Sequence, residues 1–445
     1  GALLTVGADG AFAYDPNGNI TVITDPRGNT TTSTYDSRNR LTVTTNALSQ
    51  TEIRGYDANG NLTSVTDVAG NTKTHDYNAA DQLVSATRPG SAVYQYEYDN
   101  VGNRTAVVDP TGVRAEQTYD PVDRSIALVA SNGDLEAYSY DRLGNQTSTQ
   151  RKDGSDQLYY SETLTYDALS RAVQTVAGMG QTTDLDYDGN GNLATIVDPL
   201  GRTATRTYDA LDRISQLTDT ASGITQYAYD RVGNLTSVSD GEGLVTEYSY
   251  DALNRLTQLR SPDTGITTAS HDANGNLTEQ TDSRGVTVTH AYDALDRRTS
   301  TTFPTEGEDR TYLYDHGING TGRLTGYDDE SGSTRFSYDT RGNILTETRT
   351  IQGRTYSLGY AYDTADRLIS LIYPSGLTVT YSYDGQGRVQ QISADGQPVL
   401  SDIAYLPFGP ATTWTDGSGL LHTETFDTDY RSTGIAVGSL QDFGY

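Results

Sequence analysis

The residues of this chain best placed to do chemistry are oxygen-bearing loops. Asp15-x-Asn17-Gly18-Asn19, Asp57-x-Asn59-Gly60-Asn61 and Asp188-x-Asn190-Gly191-Asn192 set carboxylate and amide oxygens at alternate positions around a glycine, as a calcium loop does. The spacing then departs from that chemistry. An EF-hand loop needs its glycine at position 6 and a bidentate glutamate at position 12. Here the glycine falls at position 4, and position 12 holds Pro26, Val68 and Pro199. The five histidines, His75, His271, His290, His316 and His422, include no pair at metal-ligand spacing. There is no His-Glu-x-x-His, Gly-x-Ser-x-Gly or P-loop. Carboxylates are abundant, but most stand where a turn needs an acceptor, which argues against a glycosidase-like pair. Asn61, Asn234 and Asn276 match the Asn-x-Ser/Thr glycan acceptor only because each follows a repeated turn. No catalytic residue, metal ligand or cofactor is expected, and the chain does not read as an enzyme.

The elements that would have to position these loops repeat along the chain. Tyr-Asp recurs at 14/15, 35/36, 56/57, 98/99, 119/120, 140/141 and onward to 383/384, with Tyr77-Asn78 and His271-Asp272 on the same grid. Most intervals are 21 residues, and the exceptions are longer. A fixed period of that size indicates a repeat architecture. Asp15-Pro16-Asn17-Gly18 carries the residues of a type I turn at each position. The residue after the turn pair in such a hairpin enters the left-handed region, which glycine, asparagine and aspartate tolerate. Gly18, Gly60, Gly102, Gly144, Gly191, Gly233 and Gly275 alternate there with Asn39, Asp81, Asp123, Ser170, Asp212, Asn254, Asp296 and Asp366. A 42-residue pair of hairpins facing two environments is therefore expected. A second turn lies half a period on, as in Asp25-Pro26-Arg27-Gly28, Asp109-Pro110-Thr111-Gly112 and Asp198-Pro199-Leu200-Gly201. Two turns per 21 residues leave two strands of about six residues. The fold expected is all-β, a chain of antiparallel β-hairpin repeats.

The structural motif comprises Tyr14, Asp15 and Gly18; Tyr56, Asp57 and Gly60; Tyr98, Asp99 and Gly102; Tyr140, Asp141 and Gly144; Tyr187, Asp188 and Gly191; and Tyr229, Asp230 and Gly233. With 33 Tyr against 6 Phe and one Trp, tyrosine is the dominant large residue, and hydrophobic content is 34%. In Leu62-Thr63-Ser64-Val65 the two apolar side chains point to opposite faces of a strand. The returning strand carries Tyr at i and i+2, as at Tyr138/Tyr140 and Tyr248/Tyr250. The pattern predicts a single-layer sheet wetted on both sides, its tyrosines stacked in a ladder with their hydroxyls in water. Net charge is −28, and neither a basic stripe nor a run of about 18 apolar residues occurs. Nucleic-acid binding and membrane insertion are not expected. Cysteine is absent, which removes any disulfide framework.

Tyr-Asp-x-x-Gly-Asn-Leu-Thr and Tyr-Asp-Ala-Leu-Asp-Arg-Leu resemble the YD repeats of the Rhs/YD-repeat family, over residues 14–430. That family includes bacterial Rhs and wall-associated polymorphic toxins, the C component of Tc toxins, and teneurins. The resemblance implies a spiral sheet winding into a hollow shell or barrel, which in toxins encloses a C-terminal effector. The closing segment of Rhs cores, with its Asp-Pro-x-Gly-Leu cleavage motif, is not found. Residues 1–445 are expected to form one continuous shell segment, regular over 14–300 and looser over 301–445, and part of a longer chain. Residues 1–13 read as the tail of a preceding repeat. The insertion around Arg151–Asp156 is expected as a longer edge loop. The implied role is structural: a secreted or cell-surface wall that encloses or presents an effector, partnered by flanking parts of the same polypeptide. Exposed sheet edges would permit self-association. Two alternatives are an extracellular fibre or adhesin binding carbohydrate or a receptor through its Tyr-rich face, and a self-cleaving core whose protease motif is missing here.

Overall fold

The computed structural model describes residues 10–305, 307–438 and 441–444. Residues 1–9 of the expected N-terminal tail lie outside them. The described chain is all β: 41 strands of four to nine residues, with no helix among the described residues. Each pairing described is antiparallel and joins strands consecutive in sequence, as from Ala11–Tyr14 to Ile20–Thr24 and on to Thr30–Tyr35. Backbone partners are thus found locally, hairpin by hairpin. The chain falls into two compact units. One comprises the described residues of Gly1–Val93 with Tyr229–Val238 and Leu244–Asp366. The other comprises Tyr94–Ala228, Ser239–Gly243 and those of Arg367–Tyr445.

Neither unit has a conventional dry core. The buried apolar side chains among the described residues are Ala11, Ala92, Ala106 and Leu406, and the largest fully buried side chain is Thr334. Leu62 and Val65 are both half-buried, on opposite faces of Leu62–Thr66. A wall one strand thick leaves each apolar side chain that environment.

Every Gly and Asx residue assigned to the left-handed turn position has positive φ, from Gly18 (89°) and Asn39 (60°) to Gly275 (94°) and Asp366 (63°). Ser49, Ser91 and Ser222 share the conformation in turns that the sequence reading passed over, as does Asp156 in the inserted stretch. Each anchor also brings a bulge: Ala13 pairs with Val22 and Tyr14 with Ile20, so Thr21 is an extra residue on the departing strand. The same shift recurs at Tyr35, Tyr56, Tyr187 and His271.

One expectation needs correction. The insertion before Tyr166 does not lengthen a loop. Asp153 to Gln157 make a turn of the usual kind, with Asp156 at φ 69°. The added residues extend the strands Gln146–Lys152 and Leu158–Tyr166 to seven and nine residues. At this insertion the turn keeps its hydrogen bonds, so the extra length goes into the ladder.

A substitution pair tests the turn. Gly233 has φ 100°, where a β-branched residue is strained. Gly233→Val should cost about 2 kcal/mol. Asp230→Asn keeps the Oδ1 acceptor for the Val232 and Asn234 amides and should cost less than about 1 kcal/mol. Thermal melts of the two variants that coincide would refute the assignment.

Candidate functional site

Each Tyr-Asp turn is held by its aspartate. The Asp15 amide donates to Asn19 O, and Gly18 N donates to Asp15 O. Asp15 Oδ1 accepts the amides of Asn17 and Asn19, both at 2.9 Å, and Oδ2 accepts Asn19 Nδ2 at 2.9 Å. In the Asx copies, apart from Gln82 at the Asp81 turn, an arginine takes the place of that asparagine: Arg40 Nε donates to Asp36 Oδ2 at 2.7 Å. The carboxylates of the three oxygen-rich loops are occupied in this way at Asp15, Asp57 and Asp188. Asp99 and Asp141 hold their turns alike.

Adjacent turns are joined along one edge. Asn19 Nδ2 donates to the side chain of Asn39 at 2.8 Å, and Asn61, Asn103, Asn192, Asn234 and Asn276 do the same to the Asx residue 20 positions on. The arginine of the Asx turn continues the chain, since Arg40 and Arg124 donate to the carbonyls of Asp57 and Asp141. Arg40, Arg124 and Arg171 lie 4.6–4.7 Å over the rings of Tyr56, Tyr140 and Tyr187. The Gly/Asx alternation therefore comes from donor and acceptor turns in sequence on a single edge, and not from hairpins facing two environments.

The tyrosines depart from the expected ladder. Tyr35, Tyr56, Tyr77, Tyr119, Tyr140, Tyr187, Tyr208, Tyr250, Tyr292 and Tyr383 each donate their hydroxyl to the carbonyl 15 residues earlier, at 2.7–3.0 Å. These hydroxyls are not left to water. The recurrent neighbour of the anchor ring is a guanidinium and not a second ring. The acceptor is the carbonyl of a strand's first residue, as at Ile20 and Leu41, and burial favours taking it.

Within each unit the second-turn edge of an early run of hairpins docks on the Tyr-Asp edge of a later run. In the first unit, Arg27 Nη1 donates to Asp293 O at 2.9 Å and to Asp296 Oδ1 at 2.8 Å. Its Nη2 donates to Tyr292 O at 3.1 Å, and Nε lies 3.5 Å from Asp272 Oδ2. Asn274 completes the socket, accepting Arg27 N at 3.0 Å and donating to Asp25 Oδ2 at 2.7 Å. Arg88 meets Asp366 at 2.6 Å in the same manner. In the second unit, Ser131 Oγ donates to Gly385 O at 2.7 Å, and Gly178 N to Asp429 Oδ1 at 2.5 Å. Tyr160 packs on Tyr430 with ring centroids 5.5 Å apart, and Arg151 covers both. Burial pushes the Tyr430 phenol up to about 12. These contacts join residues 245 to 279 positions apart. Sequence reasoning missed them, and also missed the stacking of Trp414 on His422, whose Nε2 lies 2.9 Å from Asp416 Oδ2.

Several turn carboxyls titrate low. The side-chain hydrogen bond from Asn19, then the Asn19 amide, hold Asp15 below its ordinary 3.8. The Arg40 amide, then its side chain, do so for Asp36, and Asp167, Asp209 and Asp251 follow. A depressed carboxyl stabilises the fold above its unfolded value and loses that contribution as pH falls through the folded value. The thermal midpoint should therefore be flat from neutrality to about pH 5 and fall below about pH 4. A midpoint unchanged down to pH 3 would contradict this.

Comparison with known proteins adds the following. The family model described as RHS Repeat matches residues 14–51, 56–93, 77–114, 166–203, 187–225, 229–266, 271–308 and 362–398, more than half of the chain. No curated protein matches the sequence. Among solved structures, a Tc holotoxin pore of Photorhabdus luminescens superposes with TM-score 0.77 at 14% identity, over 98% of this chain and 31% of that one. TcdB2-TccC3 without its hypervariable C-terminal region gives 0.69 at 14% identity, over 98% and 30%. TcdB2-TccC3 gives 0.66 at 16% identity, over 98% and 28%. The fold is shared, and this chain spans about three tenths of the length of those it matches.

Proposed function

This chain belongs to the RHS-repeat family, and on that premise we propose that it is a non-enzymatic wall segment of a hollow shell. The shell is secreted or displayed at the cell surface and encloses or presents an effector. The observation that carries this reading is the docking of one run of hairpins on another some 250 residues later, in each unit. Turn edges that dock on one another close the gap between successive runs of hairpins, as a wall that bounds a space requires. One structure sharing the fold is by name a Tc holotoxin pore, which favours containment over a fibre. The hydroxyls used within the wall also leave less of the tyrosine face to bind carbohydrate.

Negative-stain images of dilute protein, with an intact-mass measurement after prolonged incubation, test the proposal. Rounded particles with a stain-filled centre and one unchanged mass are the expected result. Filaments, or fragments of defined mass, would overturn the structural or the non-enzymatic part respectively.

A further inference from the structure

Between the Ser131–Gly385 and Gly178–Asp429 contacts of the second unit, the docked edges leave a cavity of about 500 Å³. Asp134, Asp153 and Tyr159 line it from the earlier run of hairpins, and Tyr405, Glu424 and Phe426 from the later run. The cavity thus has walls from both edges of one filled seam. No lysine or arginine lines it among the described residues.

Asp134 sets the chemistry of this space. It is 6% exposed, the most buried charged residue among those described. Other turns on its edge spend their carboxylate on the backbone. Asp109 Oδ1 accepts the amides of Thr111 and Val113, and Asp153 Oδ1 those of Ser155 and Gln157. The turn from Ala130 to Asp134 has an alanine at that position and closes through Ala130 N to Asp134 O and Gly133 N to Ala130 O. Asn132 Oδ1 accepts the Asp134 amide at 3.1 Å. The Asp134 carboxylate therefore has no part in the turn. Its charged neighbour is Arg388, with Nη1 3.9 Å away, beyond hydrogen-bond reach. Arg388 is engaged elsewhere, by Asp384 at 2.8 Å, by Gln386 Oε1 at 3.1 Å and over the ring of Tyr405 at 4.7 Å. A buried carboxylate without a hydrogen-bonded partner is costly.

We propose that this cavity binds an organic ammonium ion, an amine carried on an apolar body. Asp134 is the counter-ion, and the rings of Tyr159 and Phe426 give the cation aromatic faces. The volume falls in the range of small-molecule sites. A bare metal ion does not suit it, since no metal-binding group of carboxylates or histidines occurs among the described residues. The ligand touches both edges and so ties the seam from within.

Calorimetric titration of the full chain with phenethylamine tests the proposal. One site per chain with a Kd below about 1 mM is expected. The amine should also raise the thermal midpoint, because its site exists only when the edges are docked. Phenethyl alcohol has the same shape without the charge and should bind at least about tenfold more weakly. Asp134→Asn keeps the shape of the side chain and should weaken the amine by at least about tenfold. Glu242→Gln alters an exposed carboxylate elsewhere and should leave the affinity unchanged. Phe426→Leu, which removes an aromatic face, should weaken the amine and serves if Asp134→Asn melts early. No saturable binding up to about 10 mM amine, equal binding of the alcohol, or wild-type affinity in Asp134→Asn or Phe426→Leu would each overturn the proposal.

Discussion

Arg27→Ala should destabilise the first unit by about 2 kcal/mol, among the largest effects expected of any side-chain truncation in this protein. The guanidinium reaches two carboxylates and two carbonyls on turns more than 240 residues away. Truncation leaves Asp272 and Asp296 facing each other's turn without a counter-charge. Burial sharpens the loss, since Arg27 and Asp272 are 23% and 19% exposed. The 41% exposure of Asp296 moderates it. Arg27→Lys restores charge but cannot meet Asp296, Asp293 O and Tyr292 O together, so less than half of the loss should return. Hydrogen exchange is the discriminating measurement. Amides of 272–297 should exchange faster in Arg27→Ala, while the second unit is unaffected. Equal exchange at 272–297 in variant and wild type would show that the docked edges hold without this arginine.

Gly178→Val should be at least as severe, about 3 kcal/mol. A Cβ at Gly178 would lie 2.4 Å from Thr428 O and 2.5 Å from Thr428 Oγ1, so the edges must part. Parting them breaks the Gly178 amide bond to Asp429, a donor to a carboxylate 7% exposed. It also pulls Ser161 N from Thr428 O and separates Tyr160 from Tyr430. The strands themselves keep their partners, so the far-UV spectrum should not change. The melting midpoint should fall, and tyrosine fluorescence should report exposure of Tyr430. A midpoint within about 1 °C of wild type would mean that this docking contributes nothing to stability.

What the sequence could disclose was decided by range. The left-handed position of each turn was legible because the backbone admits so few residue types there: Asn39, Asp81 and Asp296 stand where Gly18, Gly60 and Gly275 stand in alternate copies. Ser49 and Ser222 escaped notice because serine is a weak marker of that conformation, although Ser49 lies 21 residues after Gly28 on the repeat grid. The tyrosine hydroxyl was misjudged because its acceptor is a backbone carbonyl 15 residues upstream, and a backbone carbonyl leaves no mark in residue type. The docked edges were out of reach for another reason. Arg27 meets its partners 245 to 269 residues along the chain, and nothing in its own turn marks them.

The phenol bonds have a consequence for how such a chain comes to be folded. The described strands find their partners in the segment just made, and ten anchor tyrosines then latch that pair through a carbonyl 15 residues upstream, while Tyr166 reaches 20 residues back to Gln146. During synthesis the wall can be fastened stitch by stitch behind the ribosome, with loop-closure entropy kept small at each step. Only the lateral seams must wait for distant sequence to arrive. Assembly is then vectorial, and a nascent intermediate carries one growing edge in place of many unpaired strands.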